Sequence, residues 1–316
     1  MNTRPQYDPA RKQGSALEVT RAQMQGLALV ALESLILTHG LGKHHNLSFG
    51  QDMEQAVRDE GAVPATVGVL DGKIMVGLGQ AELERLVYAD GLLKIGPRDF
   101  AGALLKKSSG GTTLAATMMA ASKKDIKVVA TNGIGGVQLD VRFDVSSDLK
   151  GLAETPMVVV CSGALPTVDF AATVEYLETM GIPIIGYQTD KFPEFLLPGK
   201  NLPISIRLDT IEEISKFVGY HWGMGQQSAV LVCQPVAASA ALDRKQVEDA
   251  ASQASKDALK AGVRGPLLTP FLLKRLSDLT GGKSMRTALN LSLNNAKLAA
   301  QIARYLAGVE RVAKPI

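Results

Sequence analysis

The stretch Val158-Val-Val-Cys-Ser-Gly-Ala-Leu-Pro-Thr-Val-Asp169 decides the fold class of this chain of 316 residues. Residues 158–161 are continuously apolar, which is typical of a strand whose sheet is covered on both faces. A short loop follows, and the pattern over 168–180 predicts a helix. A buried strand that leads through a loop into a helix is the repeating unit of an α/β domain.

The same alternation extends through the rest of the sequence. We predict strands at 29–37, 65–69, 74–76, 127–130, 157–161, 184–187 and 229–233. We predict helices at 99–105, 113–122, 168–180, 211–218, 244–261 and 267–279. After Ser284, a last helix carries one apolar stripe that includes Leu291, Leu298 and Ile302. The expected fold is an α/β/α sandwich with a mainly parallel or mixed sheet and a helical C-terminal segment.

Composition narrows the class of protein. Apolar residues make up 46% and charged residues 21%, as in globular proteins, and a net charge of +3 does not indicate nucleic-acid binding. No apolar run approaches the roughly 20 residues that cross a bilayer. Cys161 and Cys233 lie in apolar runs and are expected to be buried and free. We expect a cytoplasmic protein with a flexible tail at 1–18 and one domain at 19–316.

Two glycine-rich segments and one acid stand out from their surroundings. Gly110-Gly-Thr-Thr113 is expected to begin a helix, and Gly133-Ile-Gly-Gly136 follows a predicted strand. Both fit either an anion-binding backbone or ordinary tight turns. Glu33 lies within an apolar run, where a carboxylate needs a distant partner or a chemical role.

Several longer motifs occur in one order along the chain. They include Ala31-Leu-Glu-Ser34, Pro64-Ala-Thr-Val-Gly-Val-Leu-Asp-Gly-Lys-Ile74, Gly110-Gly-Thr-Thr-Leu-Ala-Ala-Thr-Met118 and Phe143-Asp-Val-Ser-Ser-Asp148. The sequence thereby resembles the pseudouridine-5'-phosphate glycosidases, which are indigoidine synthase A-like proteins, from about residue 28 to 305. The resemblance implies an enzyme that makes or breaks a C–C glycosidic bond between ribose 5-phosphate and a carbon nucleophile such as uracil. It also implies a homo-oligomer, expected to be a trimer, and a divalent cation such as Mn²⁺.

The resemblance also implies roles for individual positions. Glu33 matches the family's proton donor, and Asp144 matches its metal ligand. The matched substrate-binding positions are Lys94, Gly111, Thr112, Thr113, Leu114, Gln138, Ser146, Ser147, Asp148 and Ala288.

Departures from the family pattern fall on the same set of positions. Leu165 stands where the family has its nucleophilic lysine, Gln138 replaces a histidine and Ala288 replaces an asparagine, the last two in the phosphate-binding set. Leucine cannot form an imine, so a persisting reaction needs another amine (Lys43, Lys94 or Lys191) or a route without covalent attachment. The alternatives are a diverged C-glycosynthase or lyase of specialised metabolism that acts on another ligand, and a non-catalytic homologue.

Overall fold

Within the residues that the computed structural model describes, 16–40, 43–139 and 144–313, ten strands form one mixed sheet. The order across the sheet is β4-β5-β2-β1-β6-β7-β10-β8-β9, and β3 pairs with β2. The strands are β1 Leu29–Glu33, β2 Val63–Leu70, β3 Lys73–Val76, β4 Leu93–Ile95, β5 Gly110–Thr112, β6 Val128–Ala130, β7 Val158–Cys161, β8 Ile184–Tyr187, β9 Ile206–Leu208 and β10 Val230–Cys233.

Most strand pairs are parallel, and β2 forms the two antiparallel pairs, with β3 and with β5. The carboxyl ends of β1, β6 and β7 therefore meet at one edge of the sheet. β5 joins β2 at Gly68 and Val69, beyond Val67, which is level with the end of β1 at Glu33. β4 is added outside β5, so residues of β4 also lie beyond the end of β1.

Helices cover both faces of the sheet. They are α1 Ala16–Met24, α2 Leu35–His39, α3 Lys43–Asp59, α4 Gln80–Tyr88, α5 Phe100–Leu105, α6 Leu114–Ser122, α7 Ser147–Glu154, α8 Phe170–Thr179, α9 Ile211–Gly223, α10 Arg244–Lys260, α11 Leu268–Leu279 and α12 Lys283–Ala313.

Alternate residues of β7 enter two separate cores. Val159 and Cys161 pack with α6, α7 and α8, whereas Val158 and Val160 pack on the face covered by α3, α9 and α12. Burial on both faces is the physical reason for the uninterrupted apolar run of β7. The predicted α/β/α sandwich is confirmed, and α10 to α12 form its helical C-terminal segment.

Some predicted boundaries are wrong. The strand expected at 29–37 ends at Glu33, and α2 begins two residues later. The Ser34 hydroxyl donates to Val67 O at 2.5 Å and accepts from Thr112 N at 3.1 Å, which ties the break to the neighbouring strands. The segment at 110–112 is a strand rather than the start of a helix, and Thr113 caps α6 instead.

Several elements lie outside those predicted, namely β4, β5, β9, α1, α3, α4 and α7. The three strands have only three residues each, too few for a pattern of alternation. The helix α3 did carry a signal, because Phe49, Met53, Ala56 and Val57 recur at helical spacing and are buried.

The tail predicted at 1–18 lies outside the described residues except for its last three, which begin α1. Cys161 and Cys233 are buried and free, as predicted, at paired positions of β7 and β10. Among the described residues, no helix is long and apolar enough to span a membrane.

Candidate active site

A cavity of about 790 Å³ opens at the carboxyl edge of the sheet. Glu33 closes β1 at this edge, and Thr131 follows the neighbouring β6. In the sheet, β1 lies between β2 and β6. The next strand in the chain, β2, is on one side of β1, and the later strand β6 is on its other side, so the strand order reverses at β1. Open α/β sheets bind ligands in the crevice that such a reversal creates.

Glu33 is fixed by a hydrogen bond at the end of β1. Its Oε1 accepts a hydrogen bond from Thr131 Oγ1 at 2.6 Å across the two strand ends. Burial raises the pKa of Glu33 from its ordinary value of 4.5 to about 7; the Thr131 hydrogen bond and Lys94 oppose the rise, and Asp148 adds to it. A carboxyl group with a pKa near neutrality can both give and take a proton at physiological pH.

Asp148 organises the loop that faces Glu33. One of its carboxylate oxygens accepts from Ala115 N at 3.1 Å, and the other accepts from Gly135 N at 2.9 Å. The Ser146 hydroxyl caps α7 by accepting from Asp148 N at 3.2 Å. Asp148 is buried, and its carboxylate joins the start of α6 to the loop after β6. It shapes the cavity wall as well as lining it.

The glycines after β6 are required by close packing. A Cβ on Gly135 would lie 2.4 Å from Ser146 Oγ, and one on Gly136 would lie 2.3 Å from Thr173 Oγ1. The Gly135 N–H is already taken by Asp148. Ile134 forms a β-bridge with Ala164, and Val137 forms one with Val145. Gly133–Gly136 is therefore not a tight turn, and its glycines serve close packing.

Lys94 enters the cavity from β4. Its half-buried side chain forms no hydrogen bond or ion pair with any residue that the structure describes. Burial lowers the pKa of Lys94, and the carboxylates of Asp148, Glu33, Asp144 and Asp99 act in the opposite direction. An unpaired amine among carboxylates can bind an anionic group or react as a nucleophile.

The sequence predicts four substrate-binding residues in the segment 111–114, and the structure places only some of them at the cavity surface. Thr113 and Leu114 line the cavity, whereas Gly111 and Thr112 lie beneath it. The Thr112 hydroxyl donates to Val67 O at 2.8 Å, and a Cβ on Gly111 would lie 2.2 Å from Thr38 Oγ1. The structure thus brings two of these four predicted substrate-binding residues to the cavity surface.

Leu165 and Ala288 form part of an apolar wall on the other side of the cavity. Both are almost fully buried and pack in one cluster with Phe195, Leu196 and Leu276. Leu165 is held in place by its own N–H, which donates to Ile134 O at 2.9 Å. The side chain at the family's lysine position therefore packs into the protein while still bounding the cavity.

The other predicted positions divide clearly. Gln138, Asp144, Ser146 and Ser147 all line the cavity. Lys43 does not, which corrects its assignment as a substitute amine: its Nζ donates to Asp90 Oδ1 at 2.8 Å and to Tyr88 O at 2.9 Å. Lys191 is exposed and likewise does not line the cavity.

Three residues at the site were not singled out from the sequence. Thr131 holds Glu33, and His39 lines the cavity at the end of α2. Burial lowers the pKa of His39, as does Lys94. Phe195 reaches the apolar wall from a loop in which its φ is +59°. His39 follows the Ala31-Leu-Glu-Ser34 motif by five residues, which was a usable signal, whereas nothing in the sequence near Phe195 indicates its position.

Asp144 is the candidate metal ligand. Its carboxylate lines the cavity and forms no ion pair with the described residues. Within the same part of the chain, no group of three or more His, Cys, Asp or Glu side chains could hold a metal ion. One carboxylate beside the Ser146 and Ser147 hydroxyls fits a hard cation that keeps most of its waters.

The fold and this cavity define an α/β protein with an acid–base and amine site at the carboxyl edge of its sheet. The family model described as Indigoidine synthase A like protein matches residues 18–305. The chain belongs to this family.

Similar proteins agree with that assignment. The chain is 42% identical over 291 residues to the pseudouridine-5'-phosphate glycosidase of Solibacter usitatus, covering 92% of this chain and 97% of that protein. It is 41% identical to the glycosidase of the same name from Geobacillus kaustophilus, with the same coverage.

Solved structures share the fold. The crystal structure of prealnumycin C-glycosynthase AlnA in complex with ribulose 5-phosphate has a TM-score of 0.85 and 34% identity, covering 96% of this chain and all of that one. An indigoidine synthase A-like protein from Thermotoga maritima has a TM-score of 0.85 at 29% identity, with the same coverage.

Proposed function

We propose that this protein is an enzyme that makes or breaks a C–C glycosidic bond between a pentose 5-phosphate and a carbon nucleophile. The observation that carries the proposal is the convergence of Glu33 and Lys94 on one cavity, with the pKa of Glu33 raised to about 7. The activities named for the similar proteins, pseudouridine-5'-phosphate glycosidase and prealnumycin C-glycosynthase, belong to the same chemical class.

The chemistry explains why such a pair is useful. A carbon leaving group cannot be expelled simply by protonating a heteroatom, so cleavage of the C–C bond needs electron donation to the sugar carbon C1. The lone pair of an amine attached to C1 of the open-chain sugar supplies it and forms an iminium ion, and in the synthetic direction this iminium ion is the electrophile that the carbon nucleophile attacks. Glu33 gives a proton to the departing carbon, and it takes one from the carbon nucleophile in the reverse direction. Lys94, Ser146 and Ser147 bind the polar sugar phosphate.

A second candidate function is a C-glycosynthase or lyase whose carbon nucleophile is less polar than uracil. The observation that favours it is the apolar wall formed by Leu165, Ala288 and Phe195. A polar base would leave donors and acceptors unpaired against this wall, which costs free energy, whereas an apolar ring system would not.

A divalent cation, expected to be Mn²⁺, is part of the proposal. Asp144 would hold it, with Ser146 and Ser147 nearby and water completing the ligand set. When bound, the cation supplies positive charge that orients and neutralises sugar or phosphate oxygens. Manganese should raise the melting temperature of the wild type and not that of Asp144→Asn. An equal shift of the melting temperature in both proteins would exclude Asp144 as the metal ligand.

We also propose a homotrimer, which sedimentation velocity at micromolar concentration tests directly; a single monomer peak would contradict it. The cytoplasmic location remains a prediction, in keeping with a phosphorylated substrate. Sugar phosphates and C-nucleoside phosphates are the expected ligands.

The decisive experiment combines binding and turnover. Wild-type protein is incubated with pseudouridine 5'-phosphate and Mn²⁺, and uracil release is followed by chromatography, with Glu33→Gln as the inactive control. Thermal melting with ribose 5-phosphate measures binding separately, since a ligand at 100 times its Kd adds about 2.7 kcal/mol of stability.

The outcomes separate the hypotheses. Uracil release that depends on Glu33 supports the glycosidase. A melting shift with ribose 5-phosphate but no uracil release supports the synthase with another nucleophile. Neither shift nor release would reject the proposed function and leave a non-catalytic homologue.

A further inference from the structure

The loop after β7 offers no amine, yet the proposed reaction needs one at the sugar carbon C1. Four lysines of the described chain line the cavity: Lys94, Lys123, Lys150 and Lys274. The side chains of Lys150 and Lys274 are 73% and 80% exposed, and each lies 3.7 Å from a carboxylate four residues away on its own helix. Lys123 is exposed as well. These three lie at the rim of the cavity.

Lys94 differs from them in position and in pairing. It lies in the middle of β4, in register with Gly111 of β5, and its side chain is half-buried. No carboxylate of the described chain approaches it within ion-pair distance. Three acids that line the cavity, Asp148, Glu33 and Asp144, nevertheless act on it electrostatically, so the amine faces the same space as the proton carrier.

The surroundings favour a reactive amine. Burial lowers the pKa of Lys94, which increases the neutral, nucleophilic fraction at a given pH. A lysine that forms an ion pair, as Lys43 does with Asp90, must first break that pair in order to react. Schiff-base lysines of enzymes are activated by burial of this kind.

We propose that Lys94 is the catalytic nucleophile of this protein and carries the sugar as an iminium at C1, the role for which position 165 has no amine. This inference rests on the proposed function, because it names the residue that performs its covalent step. It also predicts that position 94 combines two tasks, attraction of the anionic sugar and covalent attachment.

Formation of the iminium ion needs only Lys94 and Glu33. The lone pair of neutral Lys94 Nζ adds to C1 of the open-chain aldehyde, and the carbonyl oxygen takes up the proton lost by nitrogen. The protonated carboxyl of Glu33 then gives its proton to the C1 hydroxyl, which leaves as water. The nitrogen lone pair forms the C=N bond, leaving an iminium ion and the Glu33 carboxylate. No oxidant or reductant is consumed.

Borohydride trapping tests the assignment. Wild-type protein is reduced with borohydride in the presence of ribose 5-phosphate, and the modified peptide is located by mass spectrometry. We expect one reduced pentose phosphate per chain, on Lys94, and none on the peptide that contains Leu165. Ribitol 5-phosphate, which has no aldehyde, should give no adduct.

Variants separate attachment from binding. Lys94→Arg keeps the positive charge but cannot form an imine, so the adduct should be lost while ribose 5-phosphate still raises the melting temperature. The matched control Lys43→Arg should keep the full adduct. Lys94→Cys should lose the adduct and regain it after aminoethylation of the new thiol, because Cys161 and Cys233 are buried and protected.

The contrary results are distinct. An adduct on any other lysine, or one that survives in Lys94→Arg, overturns Lys94 as nucleophile and leaves the proposed function standing. Uracil release in wild type without a trappable adduct also overturns it, in favour of a non-covalent route. Absence of the adduct, of binding and of turnover together rejects the proposed function and this inference with it.

Discussion

The two sides of the cavity have different compositions. On one side lie four residues that retain the types expected of the family: Glu33 at the end of β1, Lys94 in β4, Asp144 in the segment before α7 and Asp148 at the start of α7. On the other side Leu165 and Ala288 replace the expected lysine and asparagine and pack into an apolar cluster. The first side presents carboxyl groups and an amine to the cavity, whereas the second packs as part of a hydrophobic cluster.

The difference shows that the two sides of one cavity satisfy different physical demands. A polar side chain buried at either apolar position without a hydrogen-bond partner would cost about 1–3 kcal/mol. Leucine and alanine in one cluster avoid that cost. The apolar side is therefore a stable arrangement in its own right, and the chemistry has to be performed by the polar side.

The largest effect is expected from Glu33→Gln, which removes the proton carrier from the polar side. We expect kcat to fall by about 10²–10⁴-fold, the usual contribution of general acid–base catalysis. Any ionisation near pH 7 in the wild-type kcat profile should disappear as well. Steady-state kinetics across pH measures both.

Glu54 provides a control for Glu33→Gln. Burial also raises its pKa to about 7, but it bonds to Thr66 Oγ1 at 2.6 Å and does not line the cavity. Glu54→Gln should leave kcat unchanged. An equal loss of activity in both variants would mean that Glu33 acts through stability rather than through chemistry.

Asp148→Ala should have the next largest effect, on stability. It removes both hydrogen bonds that join α6 to the loop after β6. Hydrogen bonds to charged groups contribute about 1.5–3 kcal/mol each, so we expect a loss of about 3 kcal/mol or more in the free energy of unfolding. Asp144→Asn, which breaks no described ion pair, should change stability by less than about 0.5 kcal/mol. Urea denaturation compares the two, and similar losses would contradict the assigned scaffolding role.

Stability should depend on pH through Glu33 and Glu54. The pKa of each rises on folding from 4.5 to about 7, so the folded state holds a proton that the unfolded state has lost between these values. The free energy of unfolding is therefore higher at low pH than at high pH for each group. This contribution is fully present below pH 4.5 and is lost as the pH rises through 7. It amounts to as much as about 3 kcal/mol per group, since one pKa unit is about 1.4 kcal/mol.

Unfolding free energies at pH 5.0 and 7.5 for wild type, Glu33→Gln and Glu54→Gln check this linkage. The stability of wild type relative to each variant should decrease at the higher pH. A relative stability that increases with pH would show that the carboxyl is ionised in the folded protein.

The smallest effect is expected on the apolar side. Leu165→Lys should lower the unfolding free energy by about 2 kcal/mol, because leucine burial is lost, and should not increase uracil release. Adding Ala288→Asn supplies a partner, so the double variant should be more stable than the sum of the single changes, by about 0.5–3 kcal/mol of coupling. Additive stabilities would show that the two positions are independent. Full glycosidase activity in Leu165→Lys alone would show that the lysine by itself limits the reaction.

Much of the fold followed from pattern. Strands such as β7 and β10 are buried on both faces, so their apolar runs are unbroken. Strands β4, β5 and β9 have three residues each and depend on pairing with their neighbours rather than on a pattern of their own. The end of β1 was missed because the apolar run continues into α2, and only the contacts of Ser34 with Val67 and Thr112 set the boundary.

For the candidate site too, some features could be predicted from the sequence and others only from the structure. The residue types at Glu33, Asp144 and Leu165 were readable from motifs, and so was the loss of the lysine. The choice among Lys43, Lys94 and Lys191 was not, because all three are lysines near family motifs. Only the structure separates them: Lys43 pairs with Asp90, Lys191 is exposed outside the cavity, and Lys94 faces it.

The sequence by itself therefore determined the α/β class, the family and the identity of the missing group, because these depend on residue type and on local periodicity. The tertiary structure decided which side chains share the cavity, which glycines serve packing, and why Glu33 has a pKa near 7. Those properties arise from burial and from contacts such as that of Glu33 with Thr131, 98 residues further along the chain. Burial and long-range contacts exist only after folding, so no local pattern records them.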